Sequence, residues 1–122
     1  VSGNTVSVIA APIFSGSVTA ASFLETSLAK YKTNIKRFEK SGLELINELD
    51  IVTYDKIDGP NNKIGIIIDN SPIEFSDENY SSVDLYKTIF IQSKAIQELS
   101  DKNNKLEEEL HNLRELIMSK LT

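Results

Sequence analysis

Apolar residues recur at alternating steps of three and four from Ile89 to the end of the chain. Ile89, Ile96, Asn103, Leu110 and Ile117 share position a of a heptad, and Gln92, Leu99, Leu106 and Leu113 share position d. A narrow stripe with a mean period of about 3.5 residues marks helices that supercoil against identical neighbours. Lys102 and Glu109 fall at g, Glu107 and Arg114 at e. In a parallel assembly g meets the e residue five further on, which pairs Lys102 with Glu107 and Glu109 with Arg114 of the next chain, both attractively. The stripe therefore predicts a parallel homo-oligomer. Asn103 is the polar residue of the seam, a device that sets register and oligomer state at some cost in stability. Asparagine at a leans towards dimers in simple coiled coils, so the stripe by itself leaves two chains or three open.

Nothing from Val83 to Leu121 breaks helical periodicity, which predicts a rod of roughly 55–60 Å. Its first turns, with Val83, Leu85, Tyr86, Ile89, Phe90 and Ile91, are apolar on more than one side and are expected to pack on the rest of the chain as well as on sister helices. Ser81 or Ser82 is the expected cap. Upstream, Ser41 followed by Glu44 reads as a capping box for a short helix with Leu43, Ile46 and Leu49 on one face. Ile51–Tyr54 and Ile64–Ile68 read as the strands of a hairpin around the turn residues Asp58–Asn62. Gly65 marks a bulge or the close approach of another backbone. Thr5–Val8 and Ser17–Ala20 alternate at period two and are expected to be short strands. The fold class is thus α+β, a small helix-plus-β head on a long C-terminal helix. Residues 1–26 would end an upstream β-structured stem, 27–82 form the head and 83–122 the stalk.

Composition sharpens this division. Up to Thr26 the chain is small, polar and β-prone, with Glu25 as its one charge; Lys30, Lys32, Lys36, Arg37, Glu39 and Lys40 follow at once. A net charge of −5 argues against nucleic acid as a partner. The zipper type of transcription factor is excluded too, since the segment before the seam reads Asp77-Glu78-Asn79-Tyr80 rather than basic. No stretch approaches the ~20 apolar residues of a membrane span. Val6–Ala11 is apolar but short and lacks a basic stretch before it, which makes it a poor signal peptide. The chain does not begin with Met and reads as an excised segment or a processed product. The absence of cysteine removes disulfides and thiolate metal sites, in keeping with a reducing cytosol without requiring one. Asp50, Asp55, Asp58, Asp69, Glu74, Asp77 and Glu78 lack an EF-hand pattern and read as solvated surface; His111 sits at heptad position b, equally solvated. No metal and no cofactor is expected.

Several strings taken in order resemble the intramolecular chaperone auto-processing domain found at the C-terminus of phage tailspikes, tail fibres and neck appendages. Endosialidases carry that domain, and myelin regulatory factor has a relative of it. The resemblance runs from about Gly16 to Leu113. It rests on Ser27-Leu28-Ala29-Lys30-Tyr31-Lys32-Thr33-Asn34-Ile35, then Leu45–Leu49 with Val52-Thr53-Tyr54, then Ile64-Gly65-Ile66-Ile67, then Val83–Tyr86 and Lys94–Leu99. Leu28 stands where the family usually has Asp.

The resemblance implies a homotrimer, hence a trimeric coiled coil, that helps an upstream fibre or spike of the same chain to fold in the host bacterial cytoplasm. It further implies self-release by cleavage of Thr26–Ser27, with Ser27 as nucleophile and Lys32 as base, after which the released domain is absent from the mature virion. The alternative is a non-catalytic structural trimerisation module of a viral fibre. Chemistry constrains the first reading. A free lysine has a pKa of about 10.4, so only about 0.04% is neutral at pH 7. A lysine base must be desolvated or set beside other cations, at a cost of roughly 4 kcal/mol to reach neutrality. Spacing alone does not join the two residues: i and i+5 lie about 140° apart on a helix and on opposite faces of a strand. They meet only if the chain turns between them, or if the lysine comes from a neighbouring chain.

Overall fold

The computed structural model describes residues 12–122. They fall into two compact units divided between Arg37 and Phe38. In the first, every described residue is exposed, and its one helical element is a 3-10 turn at Ala29–Tyr31. Ser17–Ala20 forms no strand: among the described residues none pairs with it. Thr5–Val8 and Val6–Ala11 lie outside the described residues.

The second unit holds two helices and a hairpin. Helix α1, Gly42–Asn47, begins at Ser41, whose hydroxyl accepts the Glu44 N–H at 3.2 Å as the cap pattern predicts. Strands β1, Ile51–Tyr54, and β2, Lys63–Ile66, pair antiparallel with Ile51 opposite Ile66 and Thr53 opposite Ile64. Asp55 closes the loop between them by accepting the Asn62 N–H at 2.8 Å, with Gly59 and Asn62 at positive φ. The ladder is regular at Gly65; what approaches there is the ring of Tyr54, which a Cβ on residue 65 would meet at 3.1 Å. The second strand is shorter than its apolar run, because Ile68–Asn70 turns into a 3-10 segment closed by the Ser71 hydroxyl on the Ile67 carbonyl.

Helix α2 spans Leu85–Leu121, 37 residues or about 55 Å. Its cap is Asp84, which accepts the Lys87 N–H at 3.0 Å, and not Ser81 or Ser82. Those serines are engaged elsewhere: their N–H groups both donate to Asp77 at 2.9 Å. The loop is closed again by Asp77 N–H on the Ser82 carbonyl and Asp84 N–H on the Phe75 carbonyl. These backbone donors, Ser81 first and Ser82 next, hold the Asp77 carboxyl below its ordinary range.

The core sits where α1, the 3-10 turn Ile73–Phe75 and the start of α2 converge. Phe75 is fully buried and clusters with Leu45 and Ile91, flanked by Ile46, Leu49 and Ile66. Gly42 lets α1 close on α2: a Cβ there would lie 2.6 Å from the Ala95 nitrogen and 2.7 Å from the Ile91 carbonyl oxygen. Glu98 completes the joint, its carboxylate taking the Ser41 hydroxyl at 2.6 Å and the Gly42 and Leu43 N–H groups at 2.7 and 3.3 Å. The described fold is therefore α+β with a small antiparallel sheet and a long C-terminal helix. No helix of the described residues is long and apolar enough to cross a membrane.

Candidate functional site

The turn Ala29–Tyr31 solves the spacing problem raised by Ser27 and Lys32. Tyr31 N–H donates to the Leu28 carbonyl at 3.1 Å and Lys32 N–H to the Ala29 carbonyl at 3.0 Å. Leu28 and Lys32 on either side are extended, at φ −75° and −123°. One tight helical turn between two extended arms folds the chain back on itself. The Lys32 Nζ consequently reaches the Ser27 Oγ at 2.6 Å and the Ser27 carbonyl oxygen at 3.2 Å. Both residues belong to one chain, so the contact needs no neighbour to form.

As an ammonium Lys32 donates to Ser27; as a neutral amine it is placed to accept the hydroxyl proton. Both residues are exposed in the single chain. Phe23, Leu24, Leu28, Tyr31 and Ile35, all large, apolar and exposed, flank the pair along the sequence. Lys30 is turned onto the Tyr31 ring, its Nζ 5.1 Å from the centroid. Asn34, two residues past Lys32, takes a left-handed conformation at φ 52°, which asparagine adopts at lower cost than most side chains.

Residues 29–71 match the family model described as chaperone of endosialidase, a family named among the peptidases. Over that segment the chain is similar to an endosialidase-type chaperone domain. The recognition made from the ordered strings is borne out over these residues, roughly a third of the chain. Lys32, α1, the hairpin and both turns up to Ser71 lie inside the chaperone segment, whereas Ser27 stands two residues before it and α2 beyond it. No curated protein and no solved structure matches the chain.

The residues expected to form the oligomer seam all lie on α2. Ile89, Ile96, Leu99, Leu106, Leu110, Leu113 and Ile117 are all exposed in one chain, and Asn103 among them donates to Glu107 at 3.3 Å. Sequence reasoning missed Glu98, Gly42 and Phe75, which join head to helix. Glu98 carried a faint signal, standing four residues after Lys94 in a helix. Its carboxyl is held below the ordinary range by the Ser41 hydroxyl first, then by the Gly42 and Leu43 N–H groups and the Lys94 charge.

Proposed function

We propose that this chain is a C-terminal intramolecular chaperone that assembles as a parallel homotrimer, assists an upstream phage fibre or spike, and releases itself by cutting Thr26–Ser27. The observation that carries the reading is the 2.6 Å contact between Lys32 and Ser27, made by a turn at the start of the chaperone segment. In this reaction a neutral Lys32 amine takes the Ser27 hydroxyl proton, and Oγ attacks the Thr26 carbonyl carbon. The C–N bond of Thr26–Ser27 breaks as the Ser27 nitrogen receives a proton from Lys32. The product is an ester between Thr26 and Ser27 Oγ, which water hydrolyses to a Thr26 carboxylate and a free hydroxyl. Association supports this chemistry because the pair is exposed in one chain. Sister chains settling on the apolar side chains around it would exclude water and favour the neutral amine. Assembly takes place in the cytoplasm of the bacterial host, and the severed domain leaves the mature particle.

Mass spectrometry of a chain extended upstream of Val1 tests the proposal. Under folding conditions a fragment starting at Ser27 appears, and Ser27→Ala and Lys32→Ala each reduce it to background, a loss of at least a hundredfold. A chain that stays whole under those conditions leaves the structural trimerisation module as the surviving function.

A further inference from the structure

The 3-10 turn after Ser27 leaves that residue's carbonyl oxygen outside the backbone hydrogen bonding. The two bonds of the turn end on the carbonyls of Leu28 and Ala29, and no backbone N–H of the described residues donates to the Ser27 oxygen. What reaches it is the side chain of Lys32, at 3.2 Å, while the same Nζ lies 2.6 Å from Oγ. Among the described residues Lys32 makes no ion pair. Both of its partners are therefore uncharged oxygens of one residue. They differ in chemistry: the hydroxyl donates or accepts, whereas the carbonyl only accepts.

We infer that the Ser27 carbonyl is the positioning group of the proposed cleavage: it takes one N–H of the neutral Lys32 amine and so turns the lone pair towards the hydroxyl. The inference rests on the self-release proposed above and adds to it what orients the base. A neutral lysine amine carries two N–H groups and one lone pair, and it turns about its Cε–Nζ bond among three staggered positions. Nearness to Oγ alone leaves an N–H as free to face the hydroxyl as the lone pair. Holding one N–H on the carbonyl restricts that rotation, so the lone pair meets the hydroxyl proton more often. The anchor is uncharged, so orientation is gained without a carboxylate that would favour the ammonium. The same contact serves the second proton. Once Oγ has attacked the Thr26 carbonyl carbon, the ammonium still donates to the Ser27 oxygen. It passes its extra proton to the Ser27 nitrogen as the C–N bond breaks. One residue thus supplies the nucleophile, the leaving nitrogen and the anchor of the base.

The test replaces Leu28 by its α-hydroxy acid, through nonsense suppression, in a chain extended upstream of Val1. The amide between residues 27 and 28 becomes an ester, whose carbonyl is a weaker acceptor. The Leu28 N–H that is lost donates to no group among the described residues. The fragment starting at Ser27 is expected to form at least about fivefold more slowly, at unchanged oligomer mass. Hydrolysis of the new ester gives a fragment starting at residue 28, which its mass sets apart. The same exchange at Thr33, whose N–H and preceding carbonyl join no hydrogen bond among the described residues, leaves the rate unchanged. An unchanged rate at Leu28, or an equal loss at both positions, overturns the inference and leaves self-release standing. A parent chain that stays whole overturns both. A second readout needs no cleavage. In the Ser27→Ala variant of the 122 residues, carbonyl-¹³C alanine and ¹⁵N leucine single out one Ala-Leu bond, that between positions 27 and 28. Lys32→Met is expected to shift that carbonyl resonance upfield, as the loss of a donor does; an unmoved resonance overturns the contact.

Discussion

Gly42 shows how one missing carbon sets the approach of two helices. The atoms a Cβ would strike, the Ala95 nitrogen and the Ile91 carbonyl oxygen, are backbone, so neither swings aside as a flexible side chain would. Gly42→Ala must push α1 away from α2, which overpacks the joint at about 1–3 kcal/mol. The better helix propensity of alanine returns less than about 1 kcal/mol. Chemical denaturation of the variant is expected to show a net loss of stability with the far-ultraviolet spectrum unchanged. Ser27 and Lys32 illustrate the opposite case, a pair whose residue types were legible in the sequence through the family resemblance. Their contact was not, since it depends on φ and ψ at Leu28 and Lys32 rather than on spacing.

At the scale of elements, α1 is a six-residue helix that depends on its neighbours. Its cap Ser41 was readable from the Ser-x-x-Glu pattern, but its first-turn N–H groups are satisfied by Glu98, 56 residues away for Gly42. The consequence is a pH dependence with a definite sign. Glu98 has a folded pKa below its unfolded one, so its contribution is fully present above about pH 4.3 and is lost as the pH falls through the lowered folded value. Asp77 acts in the same direction. Glu98→Gln is expected to lower the melting temperature of the head at pH 7 and to flatten its fall between about pH 5 and 3. Thermal unfolding across that range checks both. Phe75 and the true cap Asp84 escaped the sequence reading because the segment between Pro72 and Val83 has no periodicity. Its order comes from hydrogen bonds to Asp77 and from the bridge between Ser76 and Val83.

Across the whole molecule, the described residues bury few large side chains, Leu45, Phe75 and Ile91 chief among them, while the seam leucines and isoleucines stay exposed in one chain. Beyond Leu99 every residue of the helix is exposed in the one chain described, and helical stability in water normally comes from packing of an apolar face. Leu106→Glu combined with Leu113→Glu is expected to give a monomer by sedimentation equilibrium, to lower helical content, and to reduce cleavage upstream of Ser27 to background. An oligomer that survives both charges would show that the seam is not what joins the copies.

Periodicity and local chemistry were enough to foresee the long helix and its exposed stripe, the hairpin and the Ser41 cap, because each depends on residues close together in the chain. The order of short strings was enough to recognise the chaperone segment. Which flank of α2 the head covers, that Glu98 caps α1, that Phe75 fills the core and that Lys32 meets Ser27 were decided only in three dimensions. Each of these depends on where distant backbone groups arrive, or on the dihedral angles of a single turn, and neither leaves a period in the sequence.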